Sequence, residues 1–136
     1  MKNCYIIDFN SIGNDDRGYL VSLEENKNIP FNVKRVYYTY GVPCDVKRGF
    51  HAHKNLQQVL LCTNGSLKVR CFDGIDEEIF ILDSPSKGLY IDSMVWREIY
   101  DYSEGSVLMV LASEYYIEDD YIREYKKFVA LTLEEV

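Results

Sequence analysis

The sequence feature that most constrains the fold is a turn signal between two strand patterns in the middle of the chain. Residues 58–62 and 67–72 are rich in strand-forming side chains, and Thr63-Asn64-Gly65-Ser66 separates them. An Asn-Gly pair readily adopts the positive φ angles that a tight hairpin turn requires, and residues 67–72 alternate between apolar and polar. The pattern predicts an antiparallel β-hairpin over residues 58–72.

Further strand patterns recur along the chain at short, regular intervals. They cover residues 4–9, 19–23, 33–42, 78–82, 88–91, 95–101 and 107–112, and residues 10–18 are rich in turn formers. The last strand is apolar almost throughout, as expected of a fully buried one. After residue 118, apolar positions 121, 122, 125, 128 and 129 follow helical spacing, with acidic residues in the first turn. We predict one all-β domain over residues 1–136, a small antiparallel barrel or jelly roll with a C-terminal helix over 119–129.

Composition limits the partners of this domain. The chain has 136 residues, of which 47% are hydrophobic, so it can bury one core. Its net charge of −7 argues against binding nucleic acid or an anionic membrane surface. No apolar run approaches the roughly 20 residues of a membrane span, and the N-terminus lacks a signal-peptide pattern. We therefore expect a cytoplasmic protein whose four cysteines are reduced and mostly buried.

The chain has only two histidines, His51 and His53, which are one residue apart. Because side chains alternate faces along a strand, both imidazoles should project from the same face. Such a pair could be half of a metal site, an acid/base pair, or a structural pair inside a barrel. Nearby cations and tyrosines favour acid/base work on an anionic substrate, since an imidazole pKa near 6.5 suits proton transfer at neutral pH.

The spacing around the histidines resembles the first motif of the cupin family. After His51-Ala52-His53, Gln58 stands at the position of the motif's Glu, and Gly65 follows at the expected distance. A cupin metal site usually has three His and one Glu, whereas this chain offers two His and a neutral Gln. Two imidazoles alone hold a divalent ion weakly, so a functional metal is not favoured.

Longer strings extend the resemblance over nearly the whole chain. The most specific are Arg-Gly-Phe-His-Ala-His-Lys at residues 48–54 and Asp-Tyr-Ile-Arg at residues 120–123, with shorter matches at 26–31, 34–38, 58–60, 64–66, 88–91 and 111–116. With these strings the chain resembles the nucleotide-sugar 3,4-ketoisomerases that act on dTDP-4-keto-6-deoxy-D-glucose.

The resemblance implies a cupin-type barrel without metal or other cofactor, assembled as a homodimer with exchanged strands. It implies a reaction that moves a ketone from C4 to C3 of the dTDP-linked hexose through an enediol. The product would be a 3-keto-6-deoxyhexose of galacto or gluco configuration, a choice that the sequence leaves open. Such products feed deoxyamino-sugar biosynthesis, for example for lipopolysaccharide or S-layer glycans.

The resemblance also implies roles for individual residues. His51 is the leading acid/base with His53 as its partner, Tyr37 donates a proton or orients the substrate, and Arg48 polarises the enediolate or binds a phosphate. We expect further substrate contacts from Arg17, Lys34, Lys54, Gln58, Tyr90, Arg97 and Arg123, of which Arg17, Lys34 and Arg123 are candidates for the diphosphate. Many relatives have Trp-His where this chain has Trp96-Arg97, and we expect Trp96 in the core.

Three other functions stay open at this point. A nucleotide-sugar 3,5-epimerase would also use a His base, usually with a Tyr acid on the opposite face. A non-catalytic cupin that only binds a nucleotide sugar would keep the cations and aromatics without needing paired histidines. A metal-dependent cupin oxygenase is the third.

Overall fold

Residues 1–134 are described by the computed structural model, in which two five-stranded antiparallel sheets face each other. With strands numbered in chain order, the first sheet runs β1 (Cys4–Asp8), β9 (Lys87–Ile91), β6 (Gln58–Asn64), β11 (Val107–Ala112) and β4 (Arg35–Tyr40). The second runs β12 (Tyr121–Ile122), β5 (Arg48–His53), β10 (Trp96–Tyr100), β7 (Leu67–Phe72) and β8 (Glu77–Leu82). One helix, α1 (Tyr125–Glu134), follows. The predicted all-β architecture with a C-terminal helix is confirmed.

The main core lies between the two sheets. Alternate residues of β6, β9 and β11 share one buried cluster with alternate residues of β7, β8 and β10, and Leu60, Val69 and Val110 are among its members. The buried thiols of Cys4, Cys62 and Cys71 belong to this core, and none of the four cysteines forms a disulfide. Because the inward positions alternate with a period of two, each strand contributes every second residue to the interior.

Each sheet is also covered on its outer face. Ile29 and Phe31, from the segment before β4, pack with Val59 and Leu111 on the back of the first sheet. Phe128 of α1 packs in the same way against the second sheet, in contact with Trp96, Ala52 and Ile122. Double coverage explains why β11 is apolar on both faces, as its sequence predicts.

The predicted hairpin over residues 58–72 is wrong, although both of its strands exist. β6 pairs with β9 and β11, whereas β7 pairs with β8 and β10, so the Asn64-Gly65 turn carries the chain from one sheet to the other. Ser66 and Ser103 hold this corner: the Ser66 amide donates to Ser103 Oγ at 2.8 Å, and the Ser103 amide donates to the Ser66 carbonyl at 2.9 Å. Of the predicted Asn-Gly pair, only Gly65 has a positive φ, +77°, whereas Asn64 is the last residue of β6.

The predicted helix over 119–129 begins too early. Residues 118–120 form one turn of 3₁₀ helix, Tyr121 and Ile122 pair with β5, and α1 begins only at Tyr125. Ile122 is almost completely buried beneath the helix, so its apolar side chain serves strand packing instead of a helical face. The spacing of apolar residues is compatible with both structures, and tertiary pairing decides between them.

A small exposed hairpin stands apart from both sheets. β2 (Ile12–Asn14) lies within the predicted turn region, and β3 (Gly18–Leu20) replaces the predicted strand over 19–23. These strands pair only with each other, and Ile12, Tyr19 and Leu20 are each at least 60% exposed. Within residues 1–134, no helix is long and apolar enough to cross a membrane.

Candidate active site

The histidine strand β5 contains a bulge that sets its position against β10. Gly49 and Phe50 both have positive φ, +89° and +55°, and pairing jumps from Arg97↔His51 to Glu98↔Gly49, which leaves Phe50 unpaired. An extra residue of this kind bends a strand and re-aims the side chains beyond it. A non-glycine residue in the left-handed region is strained, and such strain persists where the surrounding structure enforces it. The bulge thus places His51 directly opposite Arg97.

Beyond the bulge the strand alternates regularly, and the two histidines share a face as predicted. Their ring centroids lie 4.9 Å apart with the planes nearly perpendicular. Ala52 points the other way, into the contact with α1. Tyr121 of β12 packs against both imidazoles, with centroid distances of 4.3 Å to His53 and 5.1 Å to His51.

A cavity of about 90 Å³ opens between the sheets beside His51. Its polar lining consists of Tyr37, Thr39, Arg48, His51, Gln58, Arg97 and Tyr102, and most of the remaining lining is apolar. Five of these seven were predicted as site residues from the sequence. Arg48 is exposed at the start of β5, whereas Arg97 and Gln58 are fully buried. The cavity therefore combines a histidine, two guanidinium groups and two phenols.

Arg97, Gln58 and Tyr37 form one hydrogen-bonded chain across the interior. Arg97 Nη1 donates to Gln58 Oε1, and Gln58 Nε2 donates to Tyr37 Oη at 3.0 Å. Arg97 Nη2 donates to the Val95 carbonyl at 3.2 Å, and among residues 1–134 no carboxylate lies within ion-pair distance of this guanidinium. Burial lowers the pKa of Arg97 and raises that of Tyr37. A buried cation without a counter-ion favours an anion bound next to it.

The protonation state of His51 follows from its surroundings. Its Nδ1 lies 3.0 Å from the Gly49 carbonyl, which can only accept, so Nδ1 carries the hydrogen and Nε2 keeps a lone pair. Burial, together with the positive charge of Arg97, lowers the pKa of His51 to about 3. His51 is therefore neutral at physiological pH, with a lone pair on Nε2.

His53 lies behind His51 and does not line the cavity. Its side chain is completely buried, and its Nδ1 is 3.3 Å from Asp120 Oδ2, a long contact that is not a well-aligned hydrogen bond. Its Nε2 has no hydrogen-bond partner among the described residues. Burial first, and then the charge of Arg97, lowers the pKa of His53 far below its ordinary value.

Sequence reasoning missed Arg35 as a site residue. Its guanidinium lies 5.0 Å from the Tyr37 ring and 5.7 Å from the Tyr116 ring, and its Nε and Nη2 are buried without partners within residues 1–134. The signal that could have found it is strand alternation, since Arg35 shares the inward face of β4 with Tyr37 while Lys34 does not.

Other predicted substrate contacts lie away from the cavity. Lys34 forms an ion pair with Glu114 at 3.3 Å, and Arg123 forms one with Glu118 at 2.8 Å. The other three predicted contacts are Arg17 in the exposed β2–β3 turn, Lys54 on the surface, and Tyr90 on the back of the first sheet. Trp96 is in the core, as predicted. In the described part of the chain, no three His, Cys, Asp or Glu side chains are grouped so that they could hold a metal ion.

Comparison with known proteins gives consistent matches. The family model described as "FdtA: WxcM-like, C-terminal" matches residues 2–133. A TDP-4-oxo-6-deoxy-alpha-D-glucose-3,4-oxoisomerase from Aneurinibacillus thermoaerophilus is 55% identical over 119 residues, which cover 85% of this chain and 86% of that protein.

Two solved structures extend the match to the fold. The 3,4-ketoisomerase QdtA from Thermoanaerobacterium thermosaccharolyticum, in complex with TDP, is 48% identical with a TM-score of 0.94, covering 98% of this chain and 96% of that one. The TDP-quinovose 3,4-ketoisomerase WlaRB from Campylobacter jejuni is 45% identical with a TM-score of 0.91, covering 96% and 99%. A dTDP-4-dehydrorhamnose 3,5-epimerase from Bacillus anthracis is 16% identical with a TM-score of 0.76, which shows a shared fold alone.

Fold and cavity together define a small cupin-type barrel with a polar-lined cavity in its interior. Within that class, the chain belongs to the FdtA family, that of the TDP-sugar 3,4-ketoisomerases. The family predicted from the sequence strings is confirmed.

Proposed function

We propose that this chain converts dTDP-4-keto-6-deoxy-D-glucose into the dTDP-linked 3-keto-6-deoxyhexose by acid/base catalysis at the cavity beside His51, without a metal. The isomerase class follows from the family. The observation that supports the chemistry is a neutral imidazole with a free Nε2 lone pair, placed beside a buried guanidinium that has no counter-ion.

The reaction can be written with the groups of the cavity. His51 Nε2 removes the C3 proton, which the neighbouring C4 carbonyl makes acidic, and the electron pair forms a C3=C4 double bond. Negative charge that develops on O4 is stabilised by donors aimed at it, the role we assign to Arg97 and Tyr37. A proton passes from O3 to O4, the proton on His51 exchanges with solvent, and His51 then protonates C4, so that a C3 carbonyl remains.

The other cations are assigned more remote roles. Arg48 stands at the exposed end of the cavity, where it can meet the diphosphate or the sugar hydroxyls. Lys34 and Arg123 would have to share their present carboxylate partners with the diphosphate. Arg17, Lys54 and Tyr90 stay predicted substrate contacts.

We further propose a homodimer with exchanged strands. The β2–β3 hairpin leaves three large apolar side chains exposed, and edge strand β4 presents Tyr38 and Tyr40 at 65% and 75% exposure. An exposed edge strand with an apolar outer face favours pairing with another chain. The cytoplasm is the proposed compartment, because four unpaired cysteines suit a reducing environment.

A deuterium-exchange NMR experiment tests the reaction. Chelator-treated protein is mixed with dTDP-4-keto-6-deoxyglucose in D₂O, with His51→Asn protein alongside. We expect a 3-keto sugar with deuterium at C4, formed at the same rate with and without chelator, and none with the variant. The same reaction in H₂O reports the galacto or gluco configuration through the coupling between H4 and H5.

Each other outcome supports a different function. Deuterium at C3 and C5 without movement of the ketone would indicate a 3,5-epimerase. Binding of the nucleotide sugar without any exchange would leave a non-catalytic binding protein. Loss of activity on chelation, with recovery on adding back a divalent ion, would overturn the metal-free mechanism.

A further inference from the structure

Asp120 is a nearly buried carboxylate that the reaction as described does not use. It ends the 3₁₀ turn Glu118–Asp120, and its side chain is only 10% exposed. Oδ1 accepts the Asn55 amide at 2.9 Å, and Oδ2 accepts the Leu56 amide at 3.3 Å. The same Oδ2 lies 3.3 Å from His53 Nδ1. The carboxylate therefore contacts both the end of the histidine strand and the second histidine.

We propose that Asp120 is a positioning residue for the isomerase: it holds His53 in the tautomer with hydrogen on Nδ1, which keeps a lone pair on Nε2. Although the 3.3 Å contact is not a well-aligned hydrogen bond, a carboxylate attracts an N–H and repels a nitrogen lone pair, so it favours hydrogen on Nδ1, the nitrogen that faces it. The inference rests on the proposed function for its catalytic consequence, but the tautomer itself can be measured without any substrate.

The charges around His53 keep its ring neutral, so Asp120 affects which nitrogen carries the hydrogen and not the charge of the ring. Arg97, Arg35 and Arg123 all act on this ring as cations, and burial disfavours the imidazolium further. Asp120 is the carboxylate within ion-pair distance, and it faces the Nδ1 side. His53 therefore stays neutral, and Asp120 decides which of its two nitrogens carries the single hydrogen.

The tautomer has a consequence for His51, which takes up a proton during the reaction. An imidazole with hydrogen on Nδ1 has the negative end of its dipole at Nε2, which is buried without a hydrogen-bond partner among residues 1–134. Because the ring centroids of His53 and His51 lie 4.9 Å apart, this dipole would stabilise a transient positive charge on His51. The opposite tautomer would direct an N–H dipole toward the same charge and disfavour it.

The test is an Asp120→Asn variant examined by NMR on protein labelled with ¹⁵N-histidine. The amide keeps a carbonyl oxygen for the Asn55 amide, but its NH₂ group donates toward His53 Nδ1. Because the chain has only two histidines, their four ring nitrogens give two spin systems, and His51→Asn protein assigns them. We expect hydrogen on Nδ1 in both rings of the native protein, and a move to Nε2 in His53 alone in the variant.

Activity is measured on the same protein. We expect kcat to fall by about 10–100-fold, the usual effect of removing a residue that orients a functional histidine, with KM within about twofold. Asp119→Asn is the matched control, because it removes one carboxylate from the neighbouring exposed position. This control should leave the tautomers and kcat unchanged.

Several results would overturn the proposal. Hydrogen on Nε2 of His53 in the native protein would do so even if the variant failed to fold. Unchanged tautomers in a folded Asp120→Asn protein, or a changed tautomer with unchanged kcat, would do so as well. An inactive native protein would instead contradict the proposed function, while the tautomer would still report on the contact between Asp120 and His53.

Discussion

The charge of the cavity and its surroundings depends on three buried or half-buried side chains, those of Arg97, His51 and His53. Arg97 is buried with no carboxylate partner among residues 1–134, and its charge helps to keep both histidines neutral. A protein that isomerises a neutral sugar ring through a negatively charged intermediate benefits from this arrangement, because the unpaired cation is available to the intermediate. The cost is that the native state resists protonation of two histidines that the unfolded chain protonates freely.

This resistance predicts that stability falls on mild acidification. The pKa of His51 is lowered to about 3, and that of His53 is lowered too, whereas unfolded histidines titrate near 6.5. Below pH 6.5 the unfolded state therefore binds protons that the native state excludes, and the free energy of unfolding declines as the pH falls. We expect a loss of about 3 kcal/mol between pH 7.5 and 5.5, measured by urea denaturation. The decline should be about half as steep in His51→Asn protein; a flat profile in native protein would contradict the shifts.

At the scale of the single strand, the bulge in β5 is the feature on which the site depends. A Cβ atom added at Gly49 would lie 2.9 Å from the Arg97 carbonyl, in addition to the strain of a φ of +89°. The bulge therefore requires glycine for two reasons, one conformational and one steric.

Two glycine variants separate these reasons. Gly18 has almost the same φ, +88°, but an added Cβ there would have no atom within 4 Å. We expect Gly18→Ala to cost about 1 kcal/mol in urea denaturation and to leave catalysis intact. Gly49→Ala should cost about 2–4 kcal/mol and reduce kcat, because β10 must shift with Arg97. Equal losses for both variants would show that the contact with Arg97 has no role.

Sequence patterns predicted where single strands lie better than they predicted which strands pair with each other. Strand alternation correctly placed His51 and His53 on one face, and the apolar run of β11 correctly indicated a strand buried on both sides. Pairing was harder, since the Asn64-Gly65 turn joins two sheets and Tyr121-Ile122 extends β5 instead of beginning a helix. The role proposed for Asp120 could not be read from the sequence either, because it depends on contacts with residues 53–56, far away along the chain.

At the scale of the whole molecule, β4 and the β2–β3 hairpin expose apolar surface that the proposed dimer would cover. We expect light scattering to give the mass of a dimer. Tyr38→Lys should shift the protein toward monomer, because Tyr38 is 65% exposed on the outer face of β4. Ile79→Lys is the matched control: Ile79 is 53% exposed on β8, the edge of the other sheet, and its replacement should leave the dimer intact. Dissociation by the second variant but not the first would place the interface on β8.

The corner at Asn64-Gly65 also affects how the chain acquires its fold. Since β6 and β7 enter different sheets, the Asn64-Gly65 turn signal does not produce a local strand pair. Within the two large sheets, β7 and β8 are the pair of neighbouring strands that also follow each other along the chain. The strands that build the cavity find partners far along the chain: Tyr37 of β4 pairs with Val110, and His51 of β5 pairs with Arg97. Chains dominated by such distant pairings fold slowly, in about milliseconds to seconds, because loop closure precedes the contacts that compensate for it. Catalytic competence should therefore be among the last properties to appear during refolding, after much of the secondary structure has formed.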